Sequence, residues 1–229
     1  MALTARLAMA SCRVCSPWAV RRHLGSLRFR WLARRLPPEF VERGCIFVHV
    51  PKAAGHSIAT ALFGRVIGHR TLADYESVAA DAVANAFVFT FVRDPWDRLH
   101  SAYHYLCNGG TRREPDASFG RLLAARYPTF ERFVHEFLDA RTVHAYYHFV
   151  PQHCFLDTRR DACAPDFVGR FEALEEGFRH VAERIGVTAE LPTLNRSGAR
   201  DHRSAYTSAM WQRVGELYQR DCERFGYSG

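Results

Sequence analysis

Two apolar runs of strand length, each ending in a short loop that opens a helix, constrain the fold of this chain more than any other feature. Cys45-Ile46-Phe47-Val48-His49-Val50 is rich in β-branched and aromatic residues and stops at Pro51, and a helical pattern follows from Ser57 to Ile67. Phe87-Val88-Phe89-Thr90-Phe91-Val92 is the second such run. It is followed by Arg93-Asp94-Pro95, whose proline suits the first turn of a helix extending to about Cys107. Between them, 74–86 is alanine-rich and helical in propensity. Strand, loop and helix therefore occur twice in succession, the pattern of an α/β fold built on a parallel sheet flanked by helices.

The rest of the chain extends this pattern. Residues 108–116 are rich in Gly, Pro and charge and read as a surface loop, followed by helices near 119–126 and 130–140. Cys154–Asp157 and Phe167–Phe171 are strand candidates, and 172–185 is helical. The spacing of Met210, Val214, Leu217 and Phe225 predicts one long amphipathic helix over 204–225 with those residues inward. No repeat of solenoid length occurs.

With 229 residues, 48% of them hydrophobic, one domain can bury a core without disulfide or metal staples. Residues 1–40 read as a basic extension and 41–229 as that single domain. The charge of +7 sits in the extension: residues 1–38 hold eight Arg and no Asp or Glu, leaving 23 basic against 24 acidic residues elsewhere. A folded part with no basic excess argues against a nucleic-acid partner. The extension itself is a candidate for peripheral contact with an anionic membrane surface or for a targeting peptide, a solvated tail being the plain alternative. No run of about 18 apolar residues is present, so a membrane span is not expected. Seven cysteines in no dense framework fit a reducing, cytoplasmic compartment, and Cys12-Arg13-Val14-Cys15 lacks the second pair of a structural zinc site. Nothing in the sequence sets an oligomeric state.

The first loop, Pro51-Lys52-Ala53-Ala54-Gly55-His56-Ser57, joins strand to helix through small residues that let backbone N–H groups approach an anion at the helix N-terminus. Lys52 is the only lysine among 31 basic residues. A chain that otherwise carries its positive charge on arginine thus keeps one compact ammonium where a phosphate would sit. The lysine precedes the glycine, unlike the order in a Walker A loop, which disfavours ordinary ATP or GTP chemistry.

These residues resemble the sulfotransferases that use 3′-phosphoadenosine 5′-phosphosulfate (PAPS), especially the carbohydrate branch with its P-K-[TC]-[GA]-[SG]-T-S loop. The stretch Phe89–Tyr103, containing Arg93-Asp94-Pro95-Trp96-Asp97-Arg98-Leu99-His100-Ser101, is similar to that family's second signature. The resemblance spans roughly 45–228 and takes in Pro151-Gln152, Gly169-Arg170-Phe171-Glu172 and Asn195-Arg196-Ser197-Gly198. It implies a P-loop-like sheet, PAPS as donor without a metal, and a hydroxyl of a carbohydrate-like acceptor. It places Lys52, Ala53, Ala54, Gly55, His56 and Ser57 on the 5′-phosphosulfate, and Arg93 and Ser101 on the 3′-phosphate. Ala53 stands where the family has Thr or Cys, and His56 where it has Thr. Arg98 suits an ion pair on its own helix, and Trp96 either adenine packing or the core.

Transfer to a hydroxyl needs a general base and neutralisation of the departing oxygen, the second a role for Lys52. Among twelve histidines, His69 in Gly68-His69 resembles the histidine base of hexuronate-type sulfotransferases. His56 and Asp74 are the competing bases. His144, His148 and His153 do not share a helical face because of Pro151, so no metal site is assigned to them. His153-Cys154 with Arg160 matches the H-C-x5-R pattern of cysteine phosphatases, but the loop has no glycine and places Asp157 against the anion. The other readings are a P-loop-type kinase, which would require Mg2+ and ATP, and a nucleotide-binding module without catalysis.

Overall fold

The computed structural model describes residues 36–158, 164–191 and 202–228. Most of the basic extension with its Cys12/Cys15 pair, Arg160 of the phosphatase-like pattern, and Asn195–Gly198 lie outside the described residues. In chain order the elements are α1 (Pro38–Arg43), β1 (Cys45–Val48), α2 (Gly55–Phe63), α3 (Leu72–Ala84), β2 (Phe87–Val92), α4 (Pro95–Cys107), α5 (Asp116–Arg126), α6 (Phe130–Arg132), α7 (His153–Leu156), β3 (Phe167–Arg170), α8 (Leu174–Arg184), α9 (Ser208–Leu217) and α10 (Gln219–Phe225). The described residues form two compact units, one around the sheet (36–94, 152–158 and 164–191) and one helical (95–151 and 202–228).

In the sheet unit, all three strands are parallel in the order β1-β2-β3, with Cys45 opposite Phe87 and Phe89 opposite Phe167. The α/β class with a parallel sheet, read from the two apolar runs, is the fold observed. β1 starts where a cap releases it: Gly44, left-handed at φ 57°, ends α1, and its carbonyl accepts the N–H of Phe87. Every residue of β1 is buried, and Phe47 stacks on Phe89 at 5.1 Å. Thr71 and Asp74 form a capping box that starts α3 two residues before the alanine-rich stretch.

Cys154–Asp157 is not a strand. Its backbone turns back on itself, Asp157 N–H donating to the carbonyl of His153, and the sheet position beside β2 is filled by β3. A three-residue apolar run has no period by which to separate the two outcomes.

In the helical unit, Gly120 lets α5 cross α4 closely, since a Cβ there would lie 2.0 Å from the carbonyl oxygen of Leu106. Trp96 is buried against Trp211, ring centroids 4.5 Å apart, with its indole N–H donated to the Trp211 carbonyl, so it belongs to the core. Arg98 is fully buried and donates to the carbonyls of His148 and Val150, with its guanidinium 5.6 Å from the Tyr218 ring. Backbone carbonyls thus take the place of the expected ion-pair partner. The helix expected over 130–140 is shorter, a turn of α6 continued by π-helical Phe133–Phe137. It stops because Thr142 donates its hydroxyl to the Phe137 carbonyl and Asp139 accepts from the N–H groups of Arg141 and Thr142. The long C-terminal helix is two: Thr207 caps α9 and the chain breaks at Tyr218, which is buried while Leu217 is only half-buried. No helix among the described residues is long and apolar enough to cross a membrane.

Candidate active site

The loop after β1 carries the strongest backbone signature in the sheet unit. Lys52 has φ 70° and Ala54 φ 61°, left-handed conformations that cost a side-chain-bearing residue about 1–2 kcal/mol each. Left-handed residues alternating with ordinary ones curl successive N–H groups toward a common point, the concave arrangement that binds anions. Helix α2 begins directly from Ala54, with no side-chain cap and no acidic residue in its first turn, so its own first turn does not offset its positive end. Strain held at a helix start with no capping carboxylate is intelligible as an anion cradle.

Side chains alternate around the loop. Pro51, Ala53 and Gly55 are buried, Lys52, Ala54 and Ser57 are half-buried, and His56 is exposed in the first turn of α2. Arg93, at the end of β2, donates to the Lys52 carbonyl at 3.2 Å and lies 4.1 Å from the Phe171 ring centroid. Its backbone is clasped by the buried amide of Gln152, which accepts from Arg93 N–H at 2.9 Å and donates to its carbonyl at 2.8 Å. Glu172 accepts the next N–H, that of Asp94, at 2.8 Å. The Pro151-Gln152 and Arg170-Phe171-Glu172 segments therefore hold Arg93 in place. Sequence reading marked those segments without revealing this role.

Three histidines meet beside the loop. The ring of His49 lies 4.0 Å from that of His69 and 5.4 Å from that of His56, centroid to centroid. His49 Nδ1 is 2.5 Å from the Ile67 carbonyl and His69 Nδ1 is 3.0 Å from the His49 carbonyl, so residues 49 and 67–69 are laced in both directions. Each Nδ1 faces an acceptor and carries the proton in the neutral ring, which puts the lone pair on Nε2. His49 is 2% exposed and was not among the expected site residues, because within the run from Cys45 to Val50 it reads as one more strand position. Asp74, the third candidate base, is the N3 residue of the α3 capping box and accepts from Thr71 N–H at 3.0 Å, which gives its carboxylate a structural use.

The matching family model is that of the sulfotransferase family, over residues 42–228. The chain belongs to the sulfotransferase family. No curated protein and no solved structure matches it. Membership makes this a transferase of the sulfuryl group. Ser101, the remaining expected ligand residue, is half-buried on α4 in the helical unit. Cys154 Sγ lies 3.4 Å from His153 Nε2 on short α7, and burial pushes the Cys45 thiol up to about 12, so Cys45 is no nucleophile at neutral pH.

Proposed function

We propose that this sulfotransferase uses PAPS as donor and a hydroxyl of a carbohydrate-like molecule as acceptor. The observation that carries the donor assignment is the strained, uncapped start of α2 with the chain's single lysine in its loop. The family pattern assigns Arg93 and Ser101 to the 3′-phosphate and Lys52 through Ser57 to the 5′-phosphosulfate. The acceptor class rests on the likeness of this loop and of Gly68-His69 to the carbohydrate and hexuronate branches.

When bound, PAPS supplies an activated sulfuryl group whose sulfur–oxygen bond breaks as the acceptor oxygen bonds to sulfur. His69 takes the hydroxyl proton on Nε2, the nitrogen its Nδ1–H···O=C bond leaves basic. Lys52 places its ammonium against the phosphate oxygen that departs, and the N–H groups of the loop hold the remaining charge. Neither role needs a metal.

The test is ligand-induced stabilisation of the full chain in chelator. Adenosine 3′,5′-bisphosphate should raise Tm well above the effect of equimolar ATP or GTP, and labelled sulfate should pass from PAPS to a polysaccharide acceptor. Equal stabilisation by ATP overturns the donor. Binding with no transfer across an acceptor panel supports instead a nucleotide-binding module that has lost catalysis.

A further inference from the structure

The three histidines beside the phosphate loop carry more than a choice of base. One ring nitrogen from each of His49, His56 and His69 lies within 4.8 Å of the other two. We propose that these three imidazoles form a binding site for a first-row transition-metal ion of the zinc class, with a fourth position open to water or an anion.

Three features support it. The Nδ1 groups of His49 and His69 are turned to the carbonyls of Ile67 and His49, the outer-shell arrangement that fixes the tautomer and orientation of metal-ligating histidines. The donors come from three separate places, the end of β1, the first turn of α2 and the segment before α3, so the cluster is held by tertiary structure rather than by one flexible loop. The burial is graded: His49 is buried, His69 half-buried and His56 exposed, which leaves one face open for entry. Zinc held by imidazole at about 2.0–2.1 Å in tetrahedral geometry needs donor nitrogens about 3.4 Å apart, so the three rings draw together from their separation of at most 4.8 Å when the ion binds. Three neutral nitrogen ligands with one open position suit zinc, copper or nickel and not calcium or magnesium, which take oxygen donors. Lys52 and the positive end of α2 oppose a cation nearby, and an anion in the fourth position relieves that opposition.

Occupation has a consequence that rests on the proposed role of His69: an ion on its Nε2 takes the lone pair that would accept the hydroxyl proton, so the metal inhibits transfer.

The probe is Zn2+ alone, titrated against the chelator-stripped full chain in competition with a chromophoric chelator. The chain carries Cys12→Ser, Cys15→Ser and Cys154→Ser, which remove the C-x2-C pair and the His153/Cys154/Asp157 cluster as competing sites. One equivalent should bind. Single His56→Ala and His69→Ala changes should each weaken it by more than about 100-fold, beyond what outer-shell changes cost. Exposed His56 is the decisive position, because its replacement leaves the core intact. No uptake, or uptake indifferent to both substitutions, overturns the site while leaving the transferase reading untouched. Uptake that depends on both histidines supports the site, whether or not transfer stops. Unimpeded transfer at full occupancy would count only against His69 as the base.

Discussion

The ring of His49 lies across the position where residue 55 would carry a side chain: a Cβ on Gly55 would sit 1.9 Å from His49 Cδ2 and 2.2 Å from Nε2. The ring cannot retreat, because its Nδ1 is bonded to the Ile67 carbonyl and its face stacks on Phe47 at 5.6 Å. Gly55 is therefore required for close packing between strand end and helix start. Gly55→Ala should destabilise the fold by about 1–3 kcal/mol, the range for overpacking, and weaken nucleotide binding at least about tenfold by displacing the first turn of α2. Combining it with His49→Ala removes the clash. Denaturant melts of the two single variants and the double variant should then be non-additive, and additivity would show that the contact carries no strain.

Lys52 combines a left-handed backbone with the one ammonium in the chain, so its structural and chemical contributions oppose each other. Lys52→Gly should raise stability by up to about 1 kcal/mol, since glycine accepts φ 70° freely, while abolishing most transfer. Lys52→Ala keeps the strain and should leave the melting midpoint near the parent value with transfer equally lost. Lys52→Arg should also transfer poorly, because a planar fork does not replace a point charge on the departing oxygen. Substantial turnover by Lys52→Ala removes the lysine from the mechanism.

What could be read from the sequence was local. β1 and β2 are legible because each is a continuous apolar run bounded by proline or charge, and α4 because proline opens it. Lys52 and Arg93 stand out for a related reason: Arg93 follows β2 directly, and Lys52 opens the loop just after the Pro51 that ends the first apolar run. His49 does not, because its meaning depends on Ile67 and His69, residues brought to it only by the fold. Gln152 and Glu172 act on backbone groups of Arg93 and Asp94 across 59 and 78 positions of sequence, a relation no periodicity encodes. Asp116 misleads in another way. At the end of a Gly/Pro-rich charged loop it reads as solvated, yet it is 3% exposed and accepts hydrogen bonds from Tyr105, Tyr146 and Tyr147, with His148 Nε2 at 3.4 Å.

That buried carboxylate makes the helical unit sensitive to acid. Burial acts to raise the pKa of Asp116, but hydrogen bonds from His148, Tyr146 and Tyr147 and the charge on His148 outweigh it and hold the carboxyl well below the usual carboxylate range. Because the folded value lies below the unfolded value of about 3.9, the contribution is complete above that pH and is lost as pH falls from there through the folded value. Asp116→Asn should cost about 3–5 kcal/mol at neutral pH, as expected when one member of a buried polar cluster is removed. Its stability should also decline less steeply than the parent's between about pH 4 and 2. Denaturant midpoints measured at several pH values decide this, and parallel curves would mean that Asp116 is not the group responsible.

His69 and His56 compete for the same proton, and their surroundings separate them. His69 is half-buried, with Nδ1 directed at the His49 carbonyl, which leaves Nε2 basic and the ring oriented; His56 is exposed on the first turn of α2, within the loop assigned to the donor. If His69 is the base, His69→Ala should lower turnover by about 10²–10⁴-fold with nucleotide affinity nearly unchanged. The sign of the pH effect follows from the chemistry. A base works only when deprotonated, so parent turnover should fall as pH drops through its pKa, and that acidic limb should vanish in His69→Ala. His56→Ala should keep the limb and show its main effect as weaker nucleotide binding, because it alters the first turn of α2, which the proposal assigns to the donor. Paired nucleotide titrations and pH–rate profiles on the two variants give the answer. Normal turnover in His69→Ala together with loss of the limb in His56→Ala would reverse the roles.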